Sequence, residues 1–304
     1  MQVPQKMTAV LLTGYGGFEK LVIRHDVPVP SLGSEDVLVL VGACGVNNTD
    51  INTRKGWYAP SVQGATDENV MAKNTDQGAW SGGMSFPRIQ GADVVGHIAA
   101  VGSSVPVERL GERVIVEPVI RNPEAPDDRC GIEYLGSERD GGFAEYVAIP
   151  ALNAFPVRSE FSDAELATFP CSYSTAEHML TRIRITHQDT LLITGASGGV
   201  GSALVQLAKR RNTTVLAVAG ATKKEAVAAL GADVVIDRET DLTVALKQAL
   251  PKGRVDAVAD VVGGPYWPQL IDILERGGRS TCSGAIAGPM VALDLRTICP
   301  VSYT

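Results

Sequence analysis

Residues 190–201 read TLLITGASGGVG, five apolar or β-branched residues running into a turn in which four of seven positions are glycine, and SALVQLAKR follows directly with helical spacing. An unbroken apolar run of this length predicts a strand buried on both faces of a sheet. Glycines at 195, 198, 199 and 201 permit a tight turn, close approach of a ligand to the backbone, and close packing of the helix on the strand. The helix that follows offers N–H groups with no intrahelical partner to an anion. No Gly-Lys-Ser/Thr follows the glycines, which excludes a nucleoside triphosphate loop. The reading is a dinucleotide pyrophosphate held by Gly195, Ala196, Ser197, Gly198, Gly199, Val200 and Gly201. A glycine-rich turn that binds nothing is the competing reading, and the strand–loop–helix context with further βα units weighs against it.

Toward the C-terminus, strand-like runs at 214–219, 233–236, 256–262 and 279–284 alternate with helical stretches at 200–210, 223–230, 242–250 and 267–276. The alternation predicts a doubly wound parallel sheet. An NAD-preferring site places an acid about 20 residues beyond the glycines, at the end of the second strand. Here that place reads Ala219-Gly220-Ala221-Thr222-Lys223-Lys224. Thr222, Lys223 and Lys224 suit a 2′-phosphate through charge-assisted hydrogen bonds, so NADPH is expected over NADH. A solvated helix start, with Glu225 beside it, is the plainer reading of the lysine pair.

Toward the N-terminus the period changes. Short β-like runs at 37–42, 93–102, 113–120 and 143–149, divided by Gly and Pro, predict an all-β barrel or sandwich. The segment 61–84 is polar, glycine-rich and aperiodic, and reads as an exposed excursion, with a cover over the active site as its hypothetical role. The expected domains are 1–165 and 166–304.

The bulk numbers agree. A chain of 304 residues suggests two cores, and 45% hydrophobic with 20% charged residues is the composition of a folded globular protein. A net charge of −7 without any basic run disfavours a generalised nucleic-acid or anionic-membrane surface. No apolar run reaches the ~20 residues a bilayer demands. The N-terminus lacks the pattern of an export signal, so a cytoplasmic address is expected. Five scattered cysteines suit reduced thiols.

Taken together, CGVNNTDINTRKGWY (44–58), FPRIQGADVVGHIAAVG (86–102), LGERVIV (110–116), GGFAEYVAIP (141–150), ATFPCSYSTAEHML (167–180), GASGGVG, DVVGG and a later GGR occur in one order over nearly the whole chain. In that order the chain resembles the medium-chain dehydrogenase/reductase superfamily, and within it the zinc-free quinone oxidoreductase branch. The resemblance implies an α/β protein, a GroES-like β domain joined to a Rossmann domain, with the active site in a cleft between them. It implies hydride transfer from NADPH to a quinone, enone or related small-molecule substrate. Zinc members carry C-G-V-C-x-T-D-x-H and a downstream G-H-E, and the corresponding positions here are Asn47, Asn52 and Gly91-Ala92-Asp93. Cys171 matches a third ligand position, and one thiol cannot hold a catalytic zinc, which needs three protein ligands. His97 stands five positions from Ala92 on a strand, hence on the opposite face, and reads as a structural histidine. The structural-zinc lobe is reduced to Cys130, so no metal is expected.

By the same resemblance Asn47, Asp50, Arg54 and Tyr58 line the substrate cleft, Asn47 as an amide donor and Tyr58 as proton source or orienting group. Asp50 and Arg54 are four apart, and on a helix they would pair with each other. Position 52 is Asn where many relatives have Tyr, which leaves water as another proton source. Thr175, Val262, Gly263 and Gly284 match loops near the nicotinamide. The chain stops at ICPVSYT, short of the family's last Rossmann strand, so an incomplete Rossmann domain is expected and the usual homodimer is left open. An alcohol dehydrogenase with an atypical zinc site and a non-catalytic dinucleotide-binding protein are the competing functions.

Overall fold

The computed structural model describes residues 3–66, 84–122, 124 and 131–298. The chain divides into two compact units, Met1–Val62 with Val70–Cys171, and Gln63–Asn69 with Ser172–Thr304.

The first unit is mostly antiparallel. Its elements are β1 (Lys6–Leu12), β2 (Leu21–Pro28), β3 (Asp36–Gly45), α1 (Asn48–Lys55), β4 (Arg88–Ile89), β5 (Asp93–Val101), β6 (Arg113–Val116), β7 (Val119–Ile120), β8 (Glu133–Tyr134), β9 (Tyr146–Pro150), β10 (Ala154–Pro156) and α2 (Asp163–Leu166). The strands assemble as a five-stranded sheet β10-β6-β5-β3-β9, a three-stranded sheet β2-β1-β4 and a β7-β8 pair. Val37, Val39, Val94, Val114, Val147 and Ile149 point inward from the large sheet and form its core. Alternation along the strand sets that face, because successive side chains project to opposite sides. The run 113–120 is not one strand. Pro118 and Glu117 divide it, since proline has no N–H to give the ladder, and β6 and β7 enter different sheets.

α3 (Pro170–Arg182) spans the division between units. The second unit then runs β11 (Thr190–Ile193), α4 (Gly199–Arg210), β12 (Thr214–Ala219), α5 (Lys224–Ala229), β13 (Val234–Asp237), α6 (Leu242–Ala249), β14 (Val255–Asp260), α7 (Trp267–Asp272), β15 (Leu274–Cys282) and α8 (Leu295–Ile298). Its five strands are parallel in the order β13-β12-β11-β14-β15. Leu191 and Ile193 pack on one face with Leu204 and Met179, while Leu192 packs on the other with Leu246 and Leu270. Burial of the strand on both faces explains its unbroken apolar sequence. Each fully buried leucine contributes roughly 1.5–3 kcal/mol of transfer free energy.

Two boundaries differ from expectation. The helix over 267–276 ends at Asp272, and residues from Leu274 already belong to β15. The strand over 256–262 ends at Asp260, because Val261 to Gly263 turn away to wrap the Asp260 carboxylate. β1 and β2, which lie outside the β-like runs read from the sequence, pair as a hairpin. Of the 61–84 segment and the stretch around Cys130, residues 67–83, 123 and 125–130 lie outside the described residues. Among the described residues no helix is long and apolar enough to cross a membrane.

Candidate functional site

The glycine loop opens where β11 ends. Gly195 has φ +57°, and a Cβ there would lie 2.7 Å from Val261 Cγ2, so both backbone and space demand glycine. The Ala196 N–H donates to the Val218 carbonyl at 3.1 Å and the Gly198 N–H to the Gly195 carbonyl at 3.0 Å, which fixes the turn. α4 begins at Gly199, and a Cβ on Gly201 would sit 2.1 Å from the Gly195 carbonyl oxygen and 2.7 Å from Ala196 Cα. Only a bare α-carbon lets the helix come this close. Ser197, Gly198 and Gly199 are exposed and Val200 half-buried, so the N-terminal N–H groups of α4 face an accessible rim. These residues fit a pyrophosphate: donors, positive helix end and a cradle that any side chain would fill.

Asp260, fully buried, braces the neighbouring loop. Its carboxylate accepts from the Thr194 hydroxyl at 2.5 Å and from the N–H groups of Val262 and Gly263 at 3.0 Å each, and Cys282 Sγ lies 3.4 Å away. The Val261 N–H donates to Thr194 Oγ1 at 3.1 Å. Val262 and Gly263 thus leave the C-terminal end of β14, beside the end of β11, and the Ala287 N–H donates to the Val262 carbonyl at 2.9 Å. Gly284 follows β15, one strand further on. Thr175 lies on α3, three residues past Ser172, whose Oγ is 2.8 Å from where a Gly199 Cβ would stand.

At the end of β12, Thr222 and Lys223 are exposed and Lys224 opens α5. The structure adds a cation there that the sequence reading lacks. Arg238, just past β13, donates its N–H to the Ala219 carbonyl at 3.0 Å, and its guanidinium lies about 4.0 Å from a Cβ built on Gly220. Its side chain meets Glu239 at 3.0 Å in the open. Parallel pairing of β12 with β13 carries Arg238 to the strand end that Thr222 follows, a relation no local pattern reveals.

In the first unit, Asn47, Asp50, Asn52, Tyr58, Asp93, Tyr134 and Cys171 form a continuous polar cluster. Asn47 caps α1, its N–H donating to Asp50 Oδ2 at 2.8 Å and its side-chain Nδ2 donating to Asp93 Oδ2 at 3.0 Å. The Gly91 N–H donates to Asp50 Oδ1 at 3.2 Å, and the Cys171 N–H to Asp93 Oδ1 at 2.8 Å. Burial pushes the carboxyls of Asp50 and Asp93 up to about 6 against these stabilising N–H donors, and the Asp93 charge raises Asp50 further. Burial likewise pushes the Tyr58 phenol up to about 12, opposed by a hydrogen bond with Asn52. Tyr134 is raised by burial and by its contact with Cys171, and the Cys44 thiol by burial and the Asp50 and Asp93 charges.

Two expectations fail here. Arg54 does not pair with Asp50: its Nη1 donates to the Gly16 carbonyl at 2.9 Å and its guanidinium lies 4.6 Å over the Phe18 ring. The Asp50 carboxylate is already taken by two N–H groups one turn earlier and on Gly91, so the helical spacing that permits the pair does not produce it. His97 is exposed on β5, and among the described residues its side chain fastens nothing, so it is not the structural histidine expected. Tyr134, Asp93 and Arg238 are the residues that sequence reasoning left without a role.

The donor set does not fit a catalytic zinc. Asn47 offers an amide, Ala92 nothing and Cys171 one sulfur, and among the described residues no group of three His, Cys, Asp or Glu side chains converges. No disulfide joins Cys44, Cys171 and Cys282.

The profile of the alcohol dehydrogenase GroES-like domain matches residues 33–159, and that of the zinc-binding dehydrogenase matches residues 199–302. A chloroplastic quinone-oxidoreductase QR1 from Triphysaria versicolor is 31% identical over 280 residues, 90% of this chain and 73% of its own length. The chain belongs to the medium-chain dehydrogenase/reductase superfamily. Another member, a chloroplastic NADPH-dependent alkenal/one oxidoreductase from Arabidopsis thaliana, is 28% identical over 94% of this chain and 65% of its own. Among solved structures of the superfamily, one described as an alcohol dehydrogenase from Sinorhizobium meliloti 1021 superimposes with a TM-score of 0.85 at 47% identity, covering 98% of this chain and 80% of that one. The chain spans from about half to three quarters of the length of the curated relatives it matches. As a member of this superfamily it is an oxidoreductase with a GroES-like domain and a dinucleotide-binding Rossmann domain.

Proposed function

We propose that this chain is a zinc-independent, NADPH-dependent reductase of quinones, enones or related carbonyl-conjugated small molecules. The observation that carries the proposal is a polar cluster of uncharged donors: the Asn47 amide, at a position that the resemblance gives to a zinc ligand, and the Tyr58 hydroxyl belong to it. Gly195 to Gly201 would hold the pyrophosphate, and Thr222, Lys223, Lys224 and Arg238 the 2′-phosphate. Val262, Gly263, Gly284 and Thr175 would approach the nicotinamide, which supplies the hydride when bound. Reduction builds negative charge on the substrate oxygen, and a donor fixed before the reaction stabilises that charge without reorganising. Asn47 is that donor. Tyr58, with its phenol held protonated through neutral pH, donates to the same oxygen or orients it. Asp50 acts through the α1 cap and Arg54 through the 16–18 loop, so both act by positioning rather than by contact with the substrate.

The names of the relatives support this reading, since two act on quinones or alkenals and one is named for NADPH. The alcohol dehydrogenase reading draws on the 47% identical structure, but among the described residues it finds no ligand set. NADPH oxidation measured against a panel of quinones, enones and simple alcohols tests the proposal. Turnover confined to conjugated carbonyls supports it; NADPH binding without turnover on any of them would leave a non-catalytic binding protein.

A further inference from the structure

Asp93 is 1% exposed, carries an ionisable carboxyl, and has no cationic partner among the described residues. Its two oxygens go to two different elements: Oδ2 to the Asn47 carboxamide ahead of α1, Oδ1 to the Cys171 N–H in the first turn of α3. The space it occupies is kept by Gly45, where a Cβ would lie 3.0 Å from Asp93 Cβ and 2.4 Å from the Ala167 carbonyl oxygen. A side chain held in this manner is rigid, and what it holds is the amide on which the proposed chemistry turns.

The two hydrogens of a carboxamide lie in one plane at a fixed angle, while rotation of an asparagine amide about its last torsion is otherwise broad. An acceptor that takes one hydrogen therefore fixes the direction of the other. We propose that Asp93 is a positioning residue for the reductase site: by accepting one Asn47 Nδ2 hydrogen it aims the second at the substrate oxygen. The link to Cys171 keeps the carboxylate itself from swinging. In this role Asp93 touches neither substrate nor cofactor. The groups packed around it, Asp50, Glu117, Cys44, Cys171 and Tyr134, are acidic or neutral, so among the described residues no cation competes for its oxygens.

The inference rests on the reductase reading, and its test separates the two. Asp93→Asn keeps the size but puts an NH2 against either the Asn47 amide or the Cys171 N–H. In Asp93→Asn, kcat for a conjugated carbonyl is expected to fall by roughly tenfold or more while the NADPH dissociation constant stays within about twofold, the signature of a lost transition-state interaction. On an Asn47→Ala background the same change is expected to lower kcat by less than about twofold, because the donor it aims is gone. Equal losses on both backgrounds would make Asp93 merely structural and overturn the proposal. A second readout is independent of turnover and of the variants' folding. In the wild-type protein, 15N NMR of the Asn47 side chain should show one amide proton protected from exchange and the other not. Two unprotected protons would overturn the positioning contact, whereas an inactive wild type with this asymmetry would sink the reductase reading alone.

Discussion

Truncating Asn47 to Ala is expected to lower kcat for a quinone or enone by roughly a hundredfold, the usual effect of deleting one preorganised oxyanion donor. Steady-state kinetics reads this directly, and an undiminished kcat would remove Asn47 from the mechanism. At the other unit, Arg238→Glu is expected to weaken NADPH binding by roughly three- to tenfold and to leave NADH unchanged, the modest effect of an exposed charge that salt screens. Competitive titration with both nucleotides checks it; equal losses would place Arg238 outside the phosphate subsite. Asn47 stood out in the sequence because the resemblance gives its position to a metal ligand and the residue there is an amide. The partnership with Asp93 was not, since 46 residues separate them and only the folding of β3 beside β5 brings them together. Arg54 shows the opposite failure. Its spacing from Asp50 was correct for an ion pair, but two backbone N–H groups had already claimed the carboxylate.

In the proposed function, cofactor binding depends on the βα unit β11-loop-α4. Gly201→Ala is expected to push α4 away from β11, because the added methyl meets the Gly195 carbonyl oxygen at 2.1 Å and backbone atoms cannot yield. Loss of detectable NADPH binding in a folded protein, measured by fluorescence titration, is the expected outcome. Wild-type affinity would show that the loop does not hold the pyrophosphate. This element was readable from residues alone, since strand burial, turn and helix start each leave a local signature. Elements whose limits depend on distant partners were not. The Asp260 carboxylate ends β14 by capturing Val262 and Gly263, and β15 claims Leu274, whose apolar character fits helix and strand equally.

Across the molecule, Asp50 and Asp93 set a stability profile opposite to that of paired carboxylates. Burial raises both from the ordinary 3.8 to about 6, so the folded protein binds their protons more tightly than the unfolded chain. Their contribution is therefore neutral below the unfolded value and becomes a penalty as pH rises toward 6, worth roughly 3 kcal/mol for each carboxyl at about 1.4 kcal/mol per pH unit. Relative to wild type, the stability of an Asp50→Asn/Asp93→Asn variant should rise between pH 4 and pH 7, as denaturant unfolding at a series of pH values would show. A constant difference would mean that the two carboxyls titrate normally. The penalty is consistent with a site kept for its chemistry, where polar groups are buried at the expense of stability.

The replacement of a metal by uncharged donors is tested most directly by turnover of the metal-stripped protein. After exhaustive chelation, with zinc shown by mass spectrometry to be below about one ion per hundred chains, NADPH oxidation driven by a quinone or enone is expected to proceed at the undiminished rate. Loss of turnover on stripping, restored by stoichiometric zinc, would contradict it.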